Sequence, residues 1–155
     1  MANPHQVRKR DAVTAKDVEI AESIVTSLAG VTFTKSPVVQ LSVDPYFESQ
    51  AFPDALIQIG FINSERTRAS RGVWQIENVM LSLLIAGRQE NHDATSIDGV
   101  KSWLDFVEEV VTAVQGFNVS GGTLQRIESE ERYDADKLRA DNQFRSLFEM
   151  TYQVR

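Results

Sequence analysis

The sequence predicts an α+β domain in which two main helices pack on a mostly antiparallel sheet of about five strands. Two stretches carry apolar residues at helical spacing, and five others have the patterns of strands. Their order along the chain is helix, three strands, helix and two strands. A length of 155 residues suits a single domain, so we divide the chain into an N-terminal arm, 1–12, and one α+β domain, 13–155.

The first helix is predicted from an apolar stripe. Ile20, Ile24 and Leu28 recur every fourth residue, which places them on one face of a helix. Thr14 is a suitable N-cap residue, and Gly30 stands where a glycine commonly ends a helix. We therefore expect the helix to lie between these two residues.

Two strands are predicted next, on either side of a loop. Val39, Leu41 and Val43 alternate with polar residues, which is typical of a short, half-buried strand. The stretch 55–62 alternates in the same way and predicts a second strand. The loop between them contains three aromatic residues, namely Tyr46, Phe47 and Phe52.

The third strand, 73–87, changes its apolar pattern midway. Trp74 and Ile76 stand at even positions, but the apolar residues at odd positions that follow them are Val79, Leu81, Leu83 and Ile85. Because a period-two pattern changes face only through an extra residue, we predict a β-bulge near Glu77–Asn78. The preceding stretch, 63–72, is polar and is predicted to form a connection.

The second helix has the strongest pattern in the chain. Its apolar residues recur at spacings of three and four, and they are Ile97, Val100, Leu104, Val107, Val111 and Val114. Trp103 and Phe106 widen the apolar face beyond what a single sheet needs. We therefore expect Trp103 and Phe106 to contact a neighbouring subunit.

Two strands complete the domain. Residues 123–133 are polar and charged, as expected of an edge strand or of one exposed on a face. Gly121 and Gly122 predict a turn before this strand. After a connection at 134–142, the stretch 142–154 alternates well and predicts the closing strand.

The composition excludes several classes of protein. The chain has 22 acidic and 16 basic residues, a formal net charge of −6, no cysteine and two histidines. Disulfide scaffolds, thiol chemistry and cysteine-bearing zinc sites all need a residue that is absent. The acidic balance argues against wrapping duplex DNA. Since no apolar window is long enough for a membrane span or a secretion signal, we expect a cytoplasmic product.

We predict no enzymatic activity, no metal and no cofactor. His5 lies in the arm and His92 stands beside Asp93, but no serine is marked as a nucleophile that either could activate. The stretch near Asn91 and Asp98 lacks the glycine and glutamate of a calcium loop. The glycine pair also lacks the pattern of a phosphate-binding loop.

Two charged groups remain as candidates for contact. Arg66, Arg68 and Arg71 crowd the predicted connection at 63–72. They are either a tip that pairs with acids of another subunit or with phosphate, or a solvated loop whose charges contribute little. The acidic residues of the fourth strand are Glu128, Glu130 and Glu131. Alternation places Glu128 and Glu130 on one face, which we expect to be solvated.

The order of elements resembles the tail-terminator (tail-completion) proteins of long-tailed bacteriophages. The resemblance covers residues 14–155 and rests on the long strand GVWQIENVMLSLLIAG, the helix IDGVKSWLDFVEEVVTAV and the C-terminal third. In that third, an acidic strand is followed by a connection with Tyr133, Asp134 and Leu138, and then by a closing alternating strand. Proteins of this kind share no catalytic signature.

The resemblance implies a structural protein of the virion, assembled in the host cytoplasm. It implies a hexameric ring that caps the last ring of the tail tube, stops tube polymerisation and joins the tail to the neck or head-completion protein. DNA would pass through the lumen without specific binding, and Glu128, Glu130 and Glu131 are candidates for lining that lumen. Arg66, Arg68 and Arg71 are candidates for contact with tube or neck.

Three alternatives stay open at this point. The chain also suits another connector of the head–tail joint, such as a neck or head-closure ring, or a baseplate part. From a different class, a small-ligand-binding or enzymatic α+β domain would need a concave pocket with perturbed ionisable groups. The sequence does not decide among these alternatives.

Overall fold

A computed structural model of the chain describes residues 15–42, 54–70, 74–88, 97–131 and 143–155. These residues form an α+β fold of two helices and five strands, as the sequence predicts. In chain order the elements are α1 (Lys16–Ala29), β1 (Val38–Ser42), β2 (Ala55–Ser70), β3 (Trp74–Arg88), α2 (Ile97–Gly116), β4 (Gly122–Glu131) and β5 (Gln143–Val154).

The five strands form one mixed sheet in the order β1-β2-β3-β5-β4. Only β1 and β2 are parallel, and the other three pairs are antiparallel. The sheet is therefore mostly antiparallel, as predicted. Among the described strands, β1 and β4 are the two edges, so the polar and charged fourth strand lies at an edge as its composition indicates.

Both helices pack on the same face of the sheet. From α1, the buried residues are Ile20, Ala21, Ile24 and Leu28, and from α2 they include Val107, Val110 and Val114. They meet the inward residues of the central strands, which include Ile57, Ile59, Leu81, Leu83 and Ile85. Burial of this apolar surface is the main source of stability for such a two-layer domain. A smaller apolar cluster of Leu84, Ala86 and Leu147 lies apart from it.

Trp103 and Phe106 lie in this core, with 2% and 0% of their surface exposed. Trp103 stacks on Phe144, and the centroids of the two rings are 5.2 Å apart. The Nζ atom of Lys35 lies 4.2 Å from the centroid of the Trp103 ring. Gly87 makes room for the indole, because a Cβ atom there would lie 2.0 Å from the Trp103 Cη2 atom. The prediction that these two rings contact a neighbouring subunit is therefore corrected: they are buried within one chain.

The stretch predicted as a connection at 63–72 is mostly strand. β2 continues to Ser70 and pairs with β3 throughout, with Arg66 opposite Glu77 and Arg68 opposite Gln75. Polar residues are compatible with a strand when a neighbouring strand satisfies their backbone hydrogen bonds. The prediction of a ten-residue loop is wrong because it relied on the apolar pattern alone.

The predicted bulge also lies elsewhere. β3 pairs without interruption from Leu81 to Gln75, and the register shifts fall in β2, at Ile62 and at Ala69. Trp74 and Ile76 therefore occupy positions on the sheet face opposite the helices. The apolar pattern of β3 changes because its apolar residues change face, and β3 has no bulge at Glu77–Asn78.

The ends of two elements are set by local geometry. Ala15 is the N-cap of α1, one residue after the predicted Thr14, which lies outside the described residues. Gly121 has a φ of +86° and forms the predicted turn before β4. A side chain there would be strained, and its Cβ atom would lie 2.7 Å from the Glu19 Oε2 atom.

We expect Tyr152→Phe to raise the free energy of unfolding by about 1 kcal/mol. The Tyr152 ring is fully buried, and its hydroxyl has no hydrogen-bond partner in the part of the chain that the structure describes. A buried, unpaired hydroxyl costs roughly 1–3 kcal/mol, which the substitution would relieve. Urea unfolding of both proteins measures the difference. A loss of stability would mean that a bound water or another partner satisfies the hydroxyl.

Candidate functional site

The end of the β2–β3 hairpin extends beyond the rest of the sheet. β1 pairs with β2 only as far as Gly60, and β5 pairs with β3 only as far as Asn78. Residues 66–70 and 74–77 therefore form a two-stranded segment with no further partner strand among the described elements; we call it the ribbon. At about 3.3 Å per residue its longer strand measures roughly 16 Å. An isolated two-stranded hairpin is marginally stable in water, so such a segment gains from a partner.

The two described arginines of the predicted contact site lie on the ribbon. Arg66 and Arg68 occupy positions on the sheet face that carries the helices, together with Glu77. Glu77 accepts a hydrogen bond of 2.8 Å from the Ser64 hydroxyl. Trp74 and Ile76 occupy positions on the other face. The ribbon thus has one polar, arginine-bearing face and one face with apolar residues; Arg71 lies outside the described residues.

The second predicted group, the acidic residues of β4, is exposed on the opposite edge of the sheet. Glu128 forms an ion pair with Arg126 at 3.4 Å, and Glu131 is also exposed. A register shift between Ser129 and Glu131 removes Glu130 from the simple alternation that the sequence suggests.

The structure brings a further acid, Glu149 of β5, to this group. Glu149 lies directly opposite Glu128 in the register, and its side chain shares a hydrogen bond with Glu130. That bond raises the pKa of Glu130 above the ordinary value, with smaller contributions from burial and from charge repulsion. The alternation of β4 gives no sign of this contact, although Glu149 is the one acidic residue in the alternating stretch of β5. These four carboxylates, Glu128, Glu130, Glu131 and Glu149, are called the acidic edge below.

We expect the Glu130–Glu149 pair to make stability depend on pH. A raised pKa means that the folded protein binds the proton more tightly than the unfolded chain does. Stability is therefore higher below the ordinary glutamate pKa and falls as the pH rises through the raised value. Glu149→Gln should remove this slope, because an amide donates a hydrogen bond to ionised Glu130.

Urea unfolding at a series of pH values across this window measures the slope in the two proteins. Glu22→Gln, an exposed change on α1, is the matched control and should keep the wild-type slope. An identical slope in Glu149→Gln and wild type would show that the pair does not share a proton.

A third feature is a shallow groove beside α2. Its lining includes three apolar residues, Val31, Phe33 and Ala113, and three acidic residues, Asp105, Glu108 and Glu109. Phe33 is held there by an edge-on contact with Phe106, at a centroid distance of 5.8 Å. The Oε1 atom of Glu109 accepts hydrogen bonds from the backbone and hydroxyl of Thr34, at 3.0 and 2.8 Å. The segment after α1 is thereby fixed to α2, so the groove is preformed.

Other predicted features fall outside the described residues. These are the arm, 1–12, with His5, the aromatic residues Tyr46, Phe47 and Phe52, His92, and the connection with Tyr133, Asp134 and Leu138. Within the ranges described, no three histidine, cysteine or acidic residues are grouped as a metal site would need. None of the described helices is long and apolar enough to cross a membrane.

Comparison with solved structures identifies a relative of the fold. The chain is similar to one from the virion of the native gene transfer agent (GTA) particle, with a TM-score of 0.50 and 13% sequence identity. The match covers 92% of this chain and 98% of that chain. At this level of identity the likeness concerns the fold. No protein-family model matches the sequence, and a search of curated proteins finds no match.

Proposed function

We propose that this protein is a structural component of a phage-like virion, namely a tail terminator whose ring caps the tail tube. The observation that carries the proposal is the fold, which is shared over 92% of the chain with a chain of a gene transfer agent virion. The two chains also have nearly the same extent, since the match covers 98% of the other one. The order of elements supports the same class.

A ring requires two different surfaces on each subunit. In a heterologous contact one surface meets a different surface of the next copy, and rotation closes the set. The sheet has two such edges, because β1 exposes 51% of Val38 and 36% of Leu41 whereas β4 exposes acids. Its edges thus differ in the way that a closed ring needs, and a hexamer is the number that the family resemblance favours.

The charged surfaces receive separate roles in this proposal. The arginine-bearing face of the ribbon contacts the tail tube or the neck protein, where a partner would also stabilise the two strands. The acidic edge lines the lumen, because like charge keeps DNA from condensing on the wall during passage. The protein acts by assembly and needs no catalytic residue, metal or cofactor.

The mass of the protein, alone and with purified tail tubes, tests the proposal. Light scattering should give about 104 kDa, six times the 17.4 kDa subunit, or a monomer that assembles only on tube ends. Tubes capped by the protein should also stop elongating when tube subunits are added.

Two other outcomes would change the conclusion. A ring that ignores tubes but binds purified heads or neck would identify another connector of the head–tail joint. A monomer that ignores tubes at every concentration would overturn the proposal and favour a ligand-binding domain, with the groove beside α2 as the first place to look.

A further inference from the structure

The groove beside α2 has the chemistry of a peptide-binding surface. Its apolar lining residues are half-buried. Of its acidic residues, Glu109 is held in place by Thr34, and Asp105 forms an exposed ion pair with Lys101 at 2.9 Å. Such a groove suits a short segment with an apolar residue next to several basic ones, because the apolar lining then excludes water while the acidic residues attract the charges.

The chain contains one such segment within its N-terminal arm. Val7 precedes three consecutive basic residues, Arg8, Lys9 and Arg10. This triad holds three of the 16 basic residues of a chain whose net charge is −6. The arm itself lies outside the described residues, so its place is inferred from charge and from length.

Length argues against docking of the arm in the groove of its own chain. The arm joins α1 at Ala15, whereas the groove begins at Val31, beyond the other end of the helix. The 14 residues of α1 span roughly 20 Å. The basic triad lies only five to seven residues before Ala15, a reach of roughly 17–25 Å if that segment is fully extended. To reach Val31 and Phe33, it would have to double back along the whole helix with almost no slack.

We infer that the basic segment of the arm, residues 7–10, docks in the groove of a neighbouring copy. Each subunit then gives its arm to one neighbour and receives an arm from the other, which is a heterologous contact of the kind that closes a ring. This inference rests on the proposed ring, and it adds the partner and the surface through which the copies recognise each other.

Changing the charge on each side tests the contact: the arm is reversed, and the net charge of the groove is neutralised. The arm variant is Arg8→Glu, Lys9→Glu, Arg10→Glu. The groove variant is Glu108→Lys, Thr112→Lys, two exposed positions of the groove that leave Glu109 and its bonds to Thr34 intact. Each variant alone should raise the protein concentration at half-assembly by about tenfold, as several lost surface ion pairs would. Light scattering measures that concentration, with tube ends present if the wild type needs them.

Mixing the two variants distinguishes a neighbour's arm from the chain's own arm. In an equimolar mixture, every acidic arm can meet a groove that carries two added lysines, and every basic arm can meet an unchanged acidic groove, but only between copies. The mixture should therefore assemble within about twofold of the wild type. The matched control, Glu22→Lys with Thr26→Lys, changes the charge equally on the exposed side of α1 and should assemble normally.

Each other outcome overturns the inference. If a chain that carries both the arm changes and the groove changes assembles normally and the mixture does not, the arm occupies its own groove. If single variants assemble as the wild type does, the groove binds no arm, although the ring stands. If the wild type itself never assembles, with or without tubes, the proposed function fails together with the contact.

Discussion

Phe106→Ala is expected to lower the free energy of unfolding by about 3–5 kcal/mol. The Phe106 ring is 0% exposed and lies between α2 and the segment after α1. It makes edge-on contacts with Phe33 at 5.8 Å and with Trp103 at 5.9 Å. Alanine would leave a cavity that these rings fill only in part, and Phe33, which lines the groove, would lose its support.

Urea unfolding of the monomeric protein gives the value, with Leu41→Ala as the control. Leu41 is apolar but 36% exposed on the edge strand β1, so its truncation should cost less than about 1 kcal/mol. The result also separates two roles for Phe106. If the variant kept its stability and lost only assembly, the ring would belong to a subunit interface, as the sequence alone suggests.

The sequence overestimates the apolar surplus of α2 because it does not show the partners of that helix. Spacing predicts the buried face of α2 only in part, since Val107 and Val114 of the predicted stripe are buried. Val100, Leu104 and Val111 are partly buried, and the fully buried Val110 lies outside the predicted stripe. The space for Trp103 is provided by Gly87 of β3, and its stacking partner is Phe144 of β5. Contacts between residues so far apart in the chain leave no local pattern, so the sequence predicts the width of the apolar face but not what covers it.

The candidate surfaces show the same limit. Composition alone identifies Arg66 and Arg68, but their place on a paired strand depends on β3 across the hairpin. Likewise, the pattern of β4 predicts an acidic edge strand, whereas the meeting of Glu130 with Glu149 depends on a register shift and on the pairing of β4 with β5. Alternation can be read from the sequence of one strand, whereas register depends on how two strands pair, so the sequence predicts the first and not the second.

Charge reversal at the ribbon is expected to have the largest effect on function. In the variant Arg66→Glu, Arg68→Glu, Arg71→Glu, three positive charges at the proposed contact with tube or neck become negative. We expect tails of uncontrolled length and at least a tenfold fall in the number of tails joined to heads, because like charges across a contact oppose binding. Electron microscopy of assembly products counts both.

The stability of the domain should change little in this variant. The ribbon lies beyond the main core, and a glutamate in place of Arg66, directly opposite Glu77, costs only about 0.2–1 kcal/mol. The matched control lowers the net charge by the same six units at exposed positions outside the ribbon, the acidic edge and the groove, namely Lys16→Glu, Thr26→Glu, Ser102→Glu, Gln115→Glu, Asn118→Glu. Because both variants carry the same net charge, a defect confined to the first must come from the ribbon. Normal tail length and normal joining of tails to heads in the ribbon variant would show that the arginines do not form the contact with tube or neck.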